Sequence, residues 1–230
     1  MKKLFFSAGK ETLAAIIASS KSKPVIFFFH GGGIKNEKEK LLYLMRDLMK
    51  KGVNSLAFDF SGVNESTGLM SSSNLEKRVQ EARVVIEKYY SDSEKVNICA
   101  FSMGGYVAIK ITELIKVKNL ILFCPAVYNK RAYKVNFGDG FSKIIRKNKS
   151  WKNSDAWTIL EKYKDNLLLF VPENDEIVPR EISDLIYSSA LNSKSRKMII
   201  LPEFSHGVHS WIVKKRKIRQ GIIGEMVKKL

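Results

Sequence analysis

The chain has 230 residues, 45% of them apolar, and sets 40 lysines and arginines against 23 aspartates and glutamates, a formal net charge of +17. That composition excludes a disordered polymer, and the length suits one domain with a sizeable core, since α/β folds of roughly 200–250 residues are commonly single. No run of about 18 uncharged apolar residues occurs, which excludes a transmembrane helix. Lysines are spread throughout, with one concentration at Lys214-Lys-Arg-Lys-Ile-Arg219. Scattered lysine reads as solvated surface, and the cluster lacks the interleaved aromatics of a single-strand platform, so no nucleic-acid partner is expected. The positive field still favours anionic substrates or a weak attraction to anionic surfaces.

Met1-Lys-Lys-Leu-Phe-Phe-Ser-Ala8 opens like a secretory signal, but Lys10 and Glu11 interrupt it before an apolar region of roughly 7–15 residues forms. A cytoplasmic protein is expected. Leu4–Ser7 and Thr12–Ser19, joined by Ala8-Gly-Lys-Glu11, read as an antiparallel hairpin, and Lys21–Pro24 as a loop. Val25–Phe29 is apolar without alternation, the mark of a strand covered on both faces, and it ends in His30-Gly-Gly-Gly33. A helix over Glu37–Lys51 carries Leu41, Leu44, Met45 and Leu48 on one face and stops at Gly52. Val53–Asp59 is a second buried strand, followed by a turn-rich loop to Gly68. Leu75–Tyr90 reads as an amphipathic helix. Val96–Phe101, Leu120–Cys124, Leu167–Val171 and Lys197–Leu201 complete the strands, with helices over Tyr106–Ile115, Pro179–Leu191 and Ile212–Leu230. The alternation predicts a mostly parallel, doubly wound α/β sheet of about eight strands with the hairpin at its edge. It lapses over 126–163, whose tyrosines, phenylalanines and tryptophans indicate a small, partly helical cap insertion over one edge of a single 1–230 domain.

Chemistry concentrates at strand ends. The run Val96–Phe101 stops at Ser102, and Met103-Gly-Gly105 opens a helix at once. A strand that reverses into a helix within one residue thrusts that residue's side chain outward, and small neighbours such as Ala100 and Gly104 leave room for it. Alone, the stretch also fits an ordinary turn in which Ser102 caps the helix. Asp175 and His206 stand in loops after two later strands, where ligands bind in open parallel sheets. A serine needs a base to take its proton, and the base needs an acceptor to hold its tautomer; Ser, Asp, His is a known order for this device. Met103 and the side-chain-free Gly31–Gly33 could supply N–H donors for an oxyanion. His209 competes for the role of base, and Glu173 and Glu176 for that of acid. Asp59 is expected to bond its own backbone in a turn, and His30 to brace the glycine loop. Cys99 and Cys124 read as buried reduced thiols too far apart for a metal pattern.

His30-Gly-Gly-Gly33, Asp59-Phe-Ser-Gly-Val-Asn-Glu-Ser-Thr-Gly68, Phe101-Ser-Met-Gly-Gly105, Asn174-Asp-Glu-Ile-Val-Pro179 and Ser205-His-Gly207 occur in the order of the α/β-hydrolases, which the chain resembles over nearly its whole length. The Asp59 loop is similar to that of the cinnamoyl-esterase and serine-aminopeptidase-like branch, commonly small capped esterases or lipases. The resemblance implies Ser102 as nucleophile, Asp175 as acid, His206 as base, and an oxyanion hole at Gly32 and Met103. Ala100 departs from the family's usual glycine and is small enough to be tolerated. The expected function is a serine hydrolase of a small-molecule ester or thioester, its acyl or alcohol group beneath the insertion, with no metal or organic cofactor. A peptidase, an acyltransferase or a non-catalytic binding module on the same fold are the alternatives.

Overall fold

The computed structural model describes residues 1–19, 23–33 and 37–230. Strands Lys2–Ala8 (β1) and Glu11–Ala18 (β2) form the antiparallel hairpin, its turn using Gly9 at φ +63, a conformation glycine adopts without strain. Of the expected loop Lys21–Pro24, Lys21 and Ser22 lie outside the described residues. The remaining strands are Ile26–Phe29 (β3), Ser55–Phe58 (β4), Val96–Phe101 (β5), Val117–Phe123 (β6), Asn166–Asn174 (β7) and Ser195–Ser205 (β8). They build one eight-stranded sheet of order β1-β2-β4-β3-β5-β6-β7-β8. β2 runs antiparallel to both β1 and β4, and every other pairing is parallel.

Helices cover both faces: Leu42–Met49 (α1), Leu75–Glu87 (α2), Met103–Ile111 (α3), Phe141–Ile145 (α4), Ala156–Lys162 (α5), Arg180–Ser189 (α6), Val208–Lys214 (α7) and Arg216–Val227 (α8). Alternate residues of each interior strand enter different cores. Phe27, Phe29, Leu120 and Leu122 pack with α2, α3 and α6, whereas Ile26, Phe28, Ile121 and Phe123 pack with α1, α7 and α8. Near-continuous apolarity follows, because these strands are covered on both faces; two buried exceptions, Asn97 and Asn119, join Asn166 in hydrogen bonds across β5, β6 and β7. Each fully buried leucine or phenylalanine contributes about 1.5–3 kcal/mol. This is the doubly wound, mostly parallel α/β architecture.

Three elements differ from expectation. The helix expected over Ile212–Leu230 is two helices, because Lys215 at φ −95, ψ 77 leaves helical space. The break lets Trp211 of α7 stack on Phe204 at 5.6 Å while α8 turns onto α1, where Arg219 pairs with Asp47 at 3.0 Å. The helix expected over Glu37–Lys51 begins as a 3-10 turn, Lys38–Leu41, because Lys38 is drawn inward to Asp59. The helix after Ser102 starts at Met103, three residues early, which takes Gly104 and Gly105 into its first turn.

The segment 126–163 holds α4, α5 and two 3-10 turns. It leaves β6, returns to β7, and packs on the α2–α3 side: the Phe137 N–H donates to the Ser73 carbonyl at 2.8 Å, and the Tyr106 hydroxyl to Asp155 at 2.7 Å. Its aromatics pack mainly on one another, Phe137 edge-on to Phe141 at 4.9 Å and Tyr128 edge-on to Tyr106 of α3 at 5.5 Å. Such T-shaped contacts join them to the core on the α2–α3 side of the sheet.

Candidate active site

Ser102 sits between β5 and α3 at φ +49, ψ −117, a left-handed setting that costs a non-glycine residue energy. Its backbone is held there from both sides. The Ser102 N–H donates to the Phe123 carbonyl at 3.0 Å, and the Ser102 carbonyl accepts from Gly105 at 2.8 Å and Ala126 at 3.0 Å. Close packing forces the glycines: a Cβ at Gly104 would lie 2.5 Å from the His30 carbonyl oxygen, and one at Gly105 would lie 2.8 Å from Pro125 Cβ. The tight approach of α3 to β3 aims the hydroxyl out of the sheet.

That hydroxyl lies 3.0 Å from His206 Nε2. On the other side of the same ring, His206 Nδ1 lies 2.9 Å from Asp175 Oδ2 and 3.0 Å from Oδ1. The loop after β7 orients Asp175, whose Oδ1 also accepts from the Ile177 N–H at 3.0 Å and the Val178 N–H at 2.8 Å. Burial alone would raise this carboxyl, but the His206 bond and the two backbone donors outweigh it and hold the group below its usual range. An ionised Asp175 keeps the proton on Nδ1 and leaves Nε2 as acceptor for the serine. Glu173 and Glu176, the rival acids, instead accept from the Glu203 N–H at 2.9 Å and the His206 N–H at 3.4 Å.

The glycine loop faces this triad from β3. His30 is buried, its Nδ1–H donating to the Gly31 carbonyl at 2.8 Å and its Nε2 accepting from the Phe60 N–H at 3.1 Å. Burial, assisted by the Arg78 charge, lowers its pKa to about 3, so it is a neutral brace. Gly32 packs on Met103, where an added Cβ would meet Met103 Cε at 2.9 Å. Met103 heads α3, where backbone N–H groups have no acceptor within the helix and the dipole is positive.

Two buried cations stand behind this loop, and neither was legible beforehand. Lys38 is fully buried, with Nζ 2.6 Å from Asp59 Oδ2, 2.9 Å from Glu39 and 3.2 Å from Glu65. The Asp59 carboxylate therefore accepts from Lys38 and from the Asn64 side chain, not from the backbone of its own turn as expected; burial works against the ammonium, but the carboxylates prevail and push it to about 12. Arg78 of α2 is also fully buried. Its Nη1 donates to Met103 Sδ at 3.1 Å, and its guanidinium lies 5.0 Å from the Phe60 ring and 4.8 Å from the Phe137 ring. Nε and Nη2 have no partner among the described residues. Burial lowers Arg78 to about 10, which leaves it a cation at neutral pH, directly beneath Met103.

Residues 20–153, more than half of the chain, match the family described as serine aminopeptidase, S33. The chain belongs to this family of α/β-hydrolases. The matched span includes Ser102 but ends before Asp175 and His206, which the fold brings to it. Among solved structures, the hydrolase is similar to Est1E from Butyrivibrio proteoclasticus with ferulic acid bound (19% identity, 98% of each chain, TM-score 0.75). It is also similar to the esterase EaEST from Exiguobacterium antarcticum (17%, 97% of each chain, 0.72). The thioesterase domain from the curacin biosynthetic pathway aligns as well (16%, 97% of this chain and 98% of that one, 0.71). At these identities the likeness is one of fold. A comparison with curated proteins finds no match.

The hydrolase opens a cleft of about 960 Å³ over Ser102 and His206. Its walls are Leu42 and Tyr43 of α1 and Val208, His209 and Val213 of α7, with Tyr128 alone from the insertion. The space expected beneath 126–163 thus opens instead between α1 and α7. His209, the rival base, faces the cleft: it packs on Phe101 at 4.4 Å and its Nδ1 bonds the Tyr43 hydroxyl at 3.1 Å. Burial lowers its pKa to about 3, so it is a neutral wall. Cys99 and Cys124 are buried free thiols. Among the described residues Cys124, Asp175 and His206 form the one group with metal-ligand spacing, their ligand atoms within 4.8 Å. Burial raises the Cys124 thiol well above its usual range, and Asp175 and His206 are already bonded to each other, His206 also to Ser102.

Proposed function

We propose that this α/β-hydrolase is a serine hydrolase of carboxylic esters or thioesters, working through an acyl-enzyme on Ser102. One observation carries the reading: a single imidazole, His206, has Ser102 Oγ 3.0 Å from Nε2 and Asp175 2.9 Å from Nδ1. The Ser102 oxygen attacks the acyl carbon as its proton passes to Nε2, and Asp175 stabilises the imidazolium. The N–H groups of Gly32 and Met103 receive the developing oxyanion, a contribution of about 2.7–4 kcal/mol for each donor. Collapse expels the alcohol or thiol, which takes the proton from Nε2, and water repeats the sequence in reverse. No step needs a metal or an organic cofactor. The residues act within one domain, with 126–163 as its cap, and the buried free thiols suit a reducing compartment, the cytoplasm.

Within a family described as aminopeptidases, the cleft itself favours the ester reading. An aminopeptidase must hold a substrate ammonium, yet the only carboxylate among the described cleft-lining residues, Glu39, is already bonded to Lys38 and Asn64. The test compares p-nitrophenyl esters, acyl-CoA thioesters and aminoacyl anilides on the wild type and Ser102→Ala. Ester or thioester turnover with a burst of leaving group, lost in Ser102→Ala, is expected. Cleavage of anilides alone, or turnover to an acyl acceptor other than water, would replace it with the peptidase or acyltransferase.

A further inference from the structure

We propose that the substrate carries an anionic group about one acyl-chain length from the scissile carbonyl, bound at the mouth of the cleft by Arg46 and Lys214. The proposal rests on the ester-hydrolase reading above and names the class of ester. Both residues line the cleft, one from each wall helix, and both are exposed. On α1, Arg46 shares a face with Leu42 and Tyr43; on α7, Lys214 follows His209, Ser210 and Val213 on the cleft side. Six residues separate Lys214 from Val208, next to the catalytic loop, which is roughly 9 Å along a helix axis. Apolar wall comes first and positive charge after it.

What sets these two apart is their place on the cleft lining, together with the pairing of some of their neighbours. Arg219 of α8 is ion-paired with Asp47 at 3.0 Å and Lys215 with Glu203, so these two neighbouring cations are offset by carboxylates. Arg46 and Lys214, which face the cleft, have no carboxylate partner among the described residues. Lys40 also lines the cleft, and its charge is felt at His209, adding to the burial that keeps that ring neutral. Glu39, the one carboxylate among the described cleft-lining residues, is turned toward Lys38 and Asn64, against the three cations Lys40, Arg46 and Lys214 on the same lining. A cleft with apolar walls and an excess of positive charge focuses its field on the opening, which raises the local concentration of anions. The complementary ligand is an ester or thioester with an apolar acyl chain and a carboxylate, sulfonate or phosphate at one end.

Two ester pairs test this and locate the anion. The first is mono-p-nitrophenyl suberate against the same compound with its free carboxylate methylated. The second places the anion on the leaving group: octanoyl para-hydroxybenzenesulfonate against the corresponding sulfonamide. The anionic member of at least one pair is expected to show about tenfold higher kcat/KM, mainly through KM, at low ionic strength. The preference should shrink toward one in about 1 M salt, where the Debye length is ~3 Å. It should invert in the Arg46→Glu, Lys214→Glu variant. Each ratio is taken within one protein, so a partial loss of folding does not change it. No anionic preference in either pair, or a preference untouched by charge reversal, overturns the anion site while turnover of the neutral esters leaves the hydrolase reading standing. Turnover of none of the four esters overturns both.

Discussion

The His206 loop and the His30 loop are two strand-end segments at the same edge of the sheet, each presenting an imidazole near Ser102. Their histidines have opposite fates. His30 is buried, and both ring nitrogens are spent on neutral backbone groups, the Gly31 carbonyl and the Phe60 N–H. A charge there would be unsolvated and set near Arg78, so the ring stays neutral and serves as a strut. His206 is partly exposed, with a carboxylate on one nitrogen and a hydroxyl on the other. The difference teaches that an imidazole becomes a base through a carboxylate that stabilises its charged form. Proximity to the serine is insufficient: His209, half-buried on the cleft wall and bonded to the Tyr43 phenol, is a third ring near the site with no such support.

The largest expected effect comes from making His206 resemble His30. Asp175→Asn keeps the acceptor for the Ile177 and Val178 N–H groups but removes the charge behind the ring. Ester turnover should fall about ten-thousand-fold while thermal stability changes little. A drop below tenfold would mean that His206 does not need the carboxylate. On the other side, Lys38→Met leaves Asp59 buried without its ammonium and should cost about 3–5 kcal/mol in urea unfolding. Adding Asp59→Leu should recover most of that loss, and a double variant no better than the single one would argue against the pair as the cause.

Acid titration sharpens the contrast. His30 and His209 have folded pKa values of about 3 against about 6.5 when unfolded, so between those values the unfolded chain binds more protons. Stability should therefore fall on acidification through that window, by about 1.4 kcal/mol per pH unit for each ring. Arg78, Lys38 and His209 face His30, and Lys40 and His206 face His209, so the surrounding charges oppose protonation in both places. His209→Phe should remove one of the two slopes and leave ester turnover near wild type; an unchanged slope would mean that His209 charges freely in the fold. The smallest effect expected is for His30→Ala, which strands the Phe60 N–H and should cost about 1–3 kcal/mol. Its turnover should drop through kcat as the glycine loop loosens, and a change confined to KM would place His30 elsewhere in the reaction.

Much of this was readable from residues alone, because the signals were backbone signals. Interior strands buried on two faces are mostly apolar, and a serine between a strand and Gly104-Gly105 has few conformations open to it. Ser102, Asp175 and His206 all follow such strands, and the fold brings them within bonding distance. Lys38 and Arg78 were not readable. Lys38 lies in Glu37-Lys-Glu-Lys40, a pattern that looks solvated, and its burial depends on Asp59, more than a full strand and helix away. Arg78 sits in an amphipathic helix beside Lys77, and only the approach of Phe60, Met103 and Phe137 from three other segments encloses it. The acyl or alcohol group is expected beneath the insertion, yet of that segment only Tyr128 reaches the cleft over Ser102, and the other aromatics pack into the core. The true walls of that cleft, α1 and α7, carry no mark separating a cleft face from an ordinary helix surface.

The most direct measurement is covalent labelling with a fluorophosphonate, read by intact mass and peptide mapping. The account predicts one adduct, on Ser102, in the wild type, none in Ser102→Ala, and far slower labelling in Asp175→Asn. Equal labelling of wild type and Ser102→Ala, or an adduct mapped to another residue, would contradict it.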